Sequence, residues 1–197
     1  MTEKEKAQAG YLYNANYDEE IIADIDRCND LCFELNQLKP SDRESQRKIL
    51  RKIFGSMGEQ AVVKPPFWCD YGYNTFVGDY FFANHNCQIL DGTKVTFGDY
   101  VFIAPNCTFT TAEHALDARQ RNEGLEVALP ITVGNNVWIG AGVIVLGGVT
   151  IGDNTVIGAG SVVTHDIPSN VIAVGVPCKV LREITEEDKN YYPTYKE

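Results

Sequence analysis

The first sixty residues carry apolar positions at helical spacing. After Asp18, the residues Ile21, Ile22, Ile25, Cys28, Cys32 and Leu35 recur three or four apart. That spacing predicts an amphipathic helix over about 18–37, ended by Pro40. Ser41-Asp42-Arg43-Glu44 reads as a capping box, with the Ser41 hydroxyl on an early N–H and Glu44 reaching back. The helix it opens, about 42–55, buries Ile49, Leu50 and Ile53 and stops at Gly55 and Gly58. Ala7-Gln8-Ala9 closes a shorter first helix at Gly10. Residues 1–57 are therefore expected as a helical segment.

Beyond that point the period changes. An apolar, mostly β-branched residue returns every six positions at Val133, Ile139, Val145, Ile151, Ile157 and Val163. Glycine usually follows it, as Gly134, Gly140, Gly152 and Gly158. The run covers 36 residues, Val133 to Pro168, without a slip. Looser copies begin at Val77-Gly78-Asp79 and Phe97-Gly98-Asp99, with two extra residues between the blocks. A period of six is neither a strand's nor a helix's. It predicts a solenoid of three short strands per triangular turn, the apolar residue pointing inward and the small residue letting the chain bend. Turns stacked at strand spacing climb only ~4.8 Å each. The stretch from Thr110 to Leu129 is too polar for a solenoid face, so 111–130 is expected as a loop thrown out from the coil, where function concentrates. The expected organisation is 1–57 helical, 58–183 solenoid with the loop 111–130, and 184–197 a C-terminal tail.

Charge and composition narrow the function. Asp plus Glu is 27 against 17 Lys plus Arg, a net charge of −10. That disfavours nucleic acid and anionic membranes as partners, because both need a basic face. No apolar run reaches the ~20 residues of a membrane span, and Met1-Thr2-Glu3-Lys4-Glu5-Lys6 offers no signal-peptide core. The six cysteines are scattered and read as reduced, buried thiols of a cytoplasmic protein. Cys28 and Cys32 sit one helical turn apart and would make half a metal site, but no His or carboxylate set at zinc spacing completes it.

Several segments carry a family resemblance. Cys69-Asp70-Tyr71-Gly72-Tyr73-Asn74, Phe82-Ala83-Asn84, Thr111-Ala112-Glu113-His114 and Ile131-Thr132-Val133-Gly134-Asn135-Asn136-Val137-Trp138-Ile139-Gly140 resemble the maltose and galactoside O-acetyltransferases. Gly147-Gly148-Val149-Thr150-Ile151-Gly152-Asp153-Asn154 and Gly175-Val176-Pro177-Cys178 do so as well. The resemblance runs from about residue 3 to 183. It implies a mainly β fold, a left-handed parallel β-helix of hexapeptide repeats with an N-terminal helical segment and an extruded loop. The hand comes from the resemblance, since the usual crossover preference is right-handed. It implies direct acetyl transfer from acetyl-CoA to a hydroxyl of a small-molecule sugar such as maltose or glucose, in a homotrimer, with no metal required and no cysteine nucleophile.

The resemblance also assigns roles. His114 matches the family's general base, a task suited to a neutral imidazole. Taken alone, any of the three histidines reads as structural. Glu126 matches a carboxylate of the maltose-type members and would orient the imidazole; otherwise it is an ordinary loop Glu. Asp70 and Asn84 match acceptor-side positions, or are turn residues. Gly140, Ala141, Ala159 and Thr164 match corners lining the pantetheine groove, or serve the coil's own geometry. Lys179 and Arg182 match basic residues near the CoA phosphates, or form a solvated turn. His165 stands where Lys is frequent. Trp138 matches a Trp beside the cofactor channel, or is a buried structural residue. Gly92 follows Asp91 where the galactoside branch carries a second acid, and Asn14-Ala15 stand where it carries an Asp. Both favour the maltose-type branch. Three other readings stay open at this point: an antibiotic or other non-sugar hydroxyl acceptor, a metal-dependent β-helix hydratase, and a non-catalytic solenoid scaffold.

Overall fold

The computed structural model describes residues 1–195. Three helices open the chain: α1, Glu3–Gln8; α2, Glu19–Gln37; and α3, Arg43–Ile53. Asp18 caps α2 by accepting the Ile21 N–H. The cap of α3 differs from the expected box. Asp42, not Ser41, accepts the Ser45 N–H at 3.1 Å, and Glu44 pairs with Lys48 at 2.7 Å. A carboxylate at the helix start satisfies an orphan N–H and complements the helix dipole, which a hydroxyl does less well. Cys28, Cys32 and Leu35 of α2 and Leu50 and Ile53 of α3 are buried in the same core as the coil, so the helices cover its open end.

The rest winds as a left-handed parallel β-helix of about six turns. Its first face stacks Ser56–Met57, Thr75–Val77, Val95–Phe97, Ile131–Val133 and Thr150–Ile151. The second stacks Val62–Val63, Phe82–Ala83, Phe102–Ile103, Trp138–Ile139, Val156–Ile157 and Val171–Val174, closed by antiparallel Lys179–Glu183. The third stacks Phe67–Cys69, Cys87–Leu90, Thr108–Thr110, Ile144–Leu146 and Val162–Val163. Val133, Ile139, Val145, Ile151, Ile157 and Val163 all point inward and are buried. Each such side chain contributes about 1.5–3 kcal/mol on leaving water. In the wider lower coils Phe97 and Phe109 fill the axis edge to face, centroids 5.0 Å apart. One coil precedes those visible in the repeat: Met57, Val63 and Cys69 begin the stack.

The glycine after each first-face strand has a cause other than the expected one. It is not where the chain bends. The positive-φ residues come two positions later, at Tyr80, Tyr100, Asn136 and Asn154. The glycine is small because the next coil passes over it: a Cβ on Gly98 would lie 2.5 Å from Asn135 Oδ1. That Asx column is itself a ladder. Asp79 accepts the Glu59 N–H, Asp99 the Asp79 N–H, Asn135 the Asp99 N–H and Asp153 the Asn135 N–H, at 2.5–2.9 Å. These corner N–H groups fall outside the strand ladders, and each finds a partner in the coil above.

The polar excursion from the coil is ordered. Ala112–His114 and Leu125–Ala128 form an antiparallel hairpin, with a short helix, α4 (Ala118–Asn122), at its tip. Tyr13–Asn14, from the chain's start, adds a third antiparallel strand to Leu125–Ala128. In the C-terminal tail, Glu186–Asn190 forms a 3₁₀ turn; Lys196 and Glu197 lie outside the described residues. Among the described residues no helix is long and apolar enough to cross a membrane.

Candidate active site

The three-stranded sheet around the hairpin sets the site. Its register places Glu126 directly opposite His114 on one side and opposite Tyr13 on the other. Directly opposed residues project to the same face, with Cβ atoms about 4.5–5.5 Å apart. The His114 side chain is 59% exposed, that of Glu126 13%. Glu126 Oε2 lies 3.8 Å from His114 Nδ1. Its other oxygen, Oε1, accepts the Tyr13 hydroxyl at 2.5 Å. Tyr13 is fully buried. A buried phenol, a half-hidden carboxylate and an exposed imidazole therefore stand in a row. The ring nitrogen left free of Glu126 is Nε2.

Asp70 follows a third-face strand and joins this cluster. Burial, and then the charges of Asp91 and Glu126, push its carboxyl up to about 7. Asp91, in the next coil, is fully buried and pushed up to about 6 by burial, against the Tyr71 N–H and Thr75 hydroxyl that it accepts at 2.9 Å each. His114, Glu126 and Asp70 thus share the edge between the third and first faces.

The other predicted residues lie elsewhere. Asn84 belongs to the edge between the second and third faces, in one column with Lys64, Ala104, Gly140 and Gly158. Its side-chain oxygen accepts the His85 N–H at 2.9 Å. Ala141 and Ala159 line the same edge, where the Gly160 N–H donates to the Ala141 carbonyl. Gly140 is required by the coil: a Cβ there would meet the Ala159 nitrogen at 2.5 Å. Thr164 and His165 follow a third-face strand, their side chains 2.8 Å apart, on the edge that carries His114. Trp138 is not a buried structural residue. It is 51% exposed on the outer side of the second face, in register with Phe102, Phe82 and Val62. Lys179 is exposed beside Val174. Arg182 donates two bonds to Asp188, at 2.7 and 2.8 Å, and this holds the Asp188 carboxyl well below the usual carboxylate range. A single chain therefore brings together the base set, but not Asn84 and Gly140 with it.

The cysteines bring one correction. All six are buried and unpaired. Cys69, from the first coil, completes a cluster with Cys28 and Cys32, its sulfur 3.4 and 3.8 Å from theirs. The third partner of the helical pair is thus a thiol from a strand, which a search for His or carboxylate ligands passes over. Burial pushes the Cys87 thiol up as well, far from any nucleophile's range.

Comparison with known proteins decides the family. Residues 6–58 match the maltose acetyltransferase hexapeptide capping motif, and residues 130–165 match the bacterial transferase hexapeptide of six repeats. The galactoside O-acetyltransferase of Escherichia coli is 45% identical over 162 residues, 82% of this chain and 80% of that protein. The chain belongs to the maltose and galactoside O-acetyltransferase family. A crystal structure of a maltose O-acetyltransferase from Clostridium difficile superposes with a TM-score of 0.92 at 50% identity, over 94% of this chain and 99% of that one. A galactoside acetyltransferase in complex with coenzyme A gives 0.94 at 45%, over 100% and 98%. The chain is accordingly an acyltransferase with acetyl-CoA as its donor. Family membership sets aside the hydratase and scaffold readings.

Proposed function

We propose that this acetyltransferase moves the acetyl group of acetyl-CoA to a hydroxyl of a sugar such as maltose or glucose, with His114 as general base. The observation that carries the reading is the exposed His114 facing the half-buried Glu126 across one hairpin register. His114 Nε2 takes the proton of the sugar hydroxyl, and that oxygen attacks the thioester carbonyl. The tetrahedral intermediate collapses as the C–S bond breaks, and the imidazolium returns the proton to the CoA sulfur. Glu126 stabilises the imidazolium and fixes the ring at Nδ1. No acyl-enzyme forms, in keeping with buried cysteines.

Asp70 and Asn84 hold the acceptor. Trp138, Gly140, Ala141, Ala159, Thr164, His165, Lys179 and Arg182 line the path of CoA. The acceptor residues and the cofactor residues are each divided between two edges of the coil, with Asp70, Thr164 and His165 on the His114 edge and Asn84, Gly140, Ala141 and Ala159 on the other, so a complete site needs the edge of one subunit against that of its neighbour. The outward column of Val62, Phe82, Phe102 and Trp138 is an apolar face for such a contact. We assign a cyclic homotrimer on this basis. Gly92, and Asn14-Ala15 near the start, favour the maltose-type branch. Unpaired thiols suit the cytoplasm.

The test is an acetyl-CoA turnover assay over maltose, glucose, galactosides and chloramphenicol, with light scattering of the same preparation. Acetylation of maltose or glucose by a trimer is expected. Turnover confined to chloramphenicol would overturn the sugar assignment, and an active monomer would overturn the shared site.

A further inference from the structure

We infer that Tyr13 is a positioning residue for the base: its buried hydroxyl fixes one oxygen of Glu126, so that the other is held toward His114 Nδ1. The inference rests on His114 being the base.

A glutamate carboxylate turns about a broad, roughly two-fold torsion, so nothing in its own chemistry chooses which oxygen faces a neighbour. Here one oxygen is already taken. The Tyr13 hydroxyl donates to Oε1 at 2.5 Å, the length of a charge-assisted O–H···O⁻ bond. The donor cannot drift, because its ring is fully buried with Ala7, Ala15, Ile21, Tyr71 and Ala128. Burial, the Glu126 bond and the Glu126 charge push its phenol far above the ordinary value, so it stays a donor throughout the working pH range.

The strand bearing Tyr13 is tied to the hairpin independently. The Asn14 side chain donates to the Glu123 carbonyl at 3.1 Å and that of Asn16 to the Gly124 carbonyl at 3.0 Å, while Glu3 of α1 accepts the Asn14 N–H at 2.6 Å. Space for the hydroxyl comes from Gly92, on which a Cβ would lie 2.9 Å from the Tyr13 oxygen. A side chain at 92 would press on the Tyr13 hydroxyl. At 3.8 Å from Nδ1, Oε2 is too far for a hydrogen bond in this structure, but its charge faces that nitrogen and favours the tautomer that carries the proton there.

The first readout needs no turnover. In protein with ¹⁵N-labelled histidine at about pH 8.5, above the ordinary imidazole range, ring nitrogen shifts report the tautomer, and His114→Ala identifies the His114 signals. Wild type is expected mainly in the Nδ1–H form. Tyr13→Phe, which keeps the packed ring, is expected to shift His114 toward Nε2–H. It should lower kcat about tenfold with the KM for acetyl-CoA unchanged, and should cost nothing further in a Glu126→Ala background. If Tyr13→Phe loosens the fold, Gly92→Ala presses on the same bond from the other side and should shift the tautomer likewise. An unchanged tautomer ratio in Tyr13→Phe, or an equal kcat loss with and without Glu126, would overturn the inference. Failure of His114→Ala to stop transfer would instead overturn the base assignment, leaving the tautomer result to decide on Tyr13.

Discussion

Asp188 grips Arg182 through two hydrogen bonds of 2.7 and 2.8 Å, both groups on the surface past the last coil. Arg182 and Lys179 are the two cations proposed for the CoA phosphates, yet only Lys179 is without an ion-pair partner among the described residues. Replacing both with Ala should raise the KM for acetyl-CoA about tenfold or more. Lys179→Ala should account for most of that. Asp188→Ala should lower the KM modestly, up to about threefold, by freeing the guanidinium, since an exposed pair holds its partners only weakly. Salt should weaken these effects. Saturation curves for acetyl-CoA and for the sugar, taken separately at two salt concentrations, check this. A shift confined to the sugar would place the cofactor elsewhere.

Asp70 sets a pH dependence of stability. Burial, with the charges of Asp91 and Glu126, pushes its folded carboxyl up to about 7 from the ordinary 3.8 of an unfolded chain. Between those values the folded state holds a proton that the unfolded state has lost, so stability falls as pH rises through the window. The fall is on the order of a few kcal/mol. Asp70→Asn should raise the melting midpoint at pH 8 and flatten the decline from pH 5. Parallel stability curves for the two proteins would contradict this.

Gly140 and Ala141 both line the proposed cofactor groove, but only one is fixed by the coil. Gly140→Ala drives a methyl against the Ala159 nitrogen and should cost about 1–3 kcal/mol or more in unfolding free energy. Ala141 is exposed. Ala141→Leu should leave the melting midpoint within about a degree while raising the KM for acetyl-CoA. Equal destabilisation by both would mean that the edge is too tightly stacked to admit a ligand.

Turnover should persist in EDTA, because proton transfer by His114 needs no metal. The buried cluster of Cys28, Cys32 and Cys69 makes the control worthwhile. Loss of turnover on chelation, restored by zinc, would overturn the metal-free mechanism.

The coil was legible in the sequence wherever one residue per face decides the packing. Val133 to Val163 keep a six-residue step because each fills one place in a narrow core. The first coil escaped because the step from Cys69 to Val77 is eight, and Pro65-Pro66 and exposed Trp68 obscure its strands. The exit of 111–130 was visible in its polarity, but not its hairpin, whose third strand lies more than a hundred residues away. Distance also hid Tyr13 and the contact of Cys69 with α2. The corner glycines were visible and their cause was not, because the atoms that exclude a Cβ belong to the next coil. In the site, residue types pointed to His114 and Glu126, while their opposition across one register is a property of the folded hairpin.

Transfer as proposed depends on His114 as the base. Single-turnover transfer from acetyl-CoA to maltose by His114→Ala, beside direct titration of CoA binding, tests it. His114 is exposed and lies at the end of a hairpin strand, so its removal leaves the coil intact. The variant's rate should be lower by ~10²–10⁴ with CoA affinity unchanged; transfer at the wild-type rate would mean that His114 is not the base.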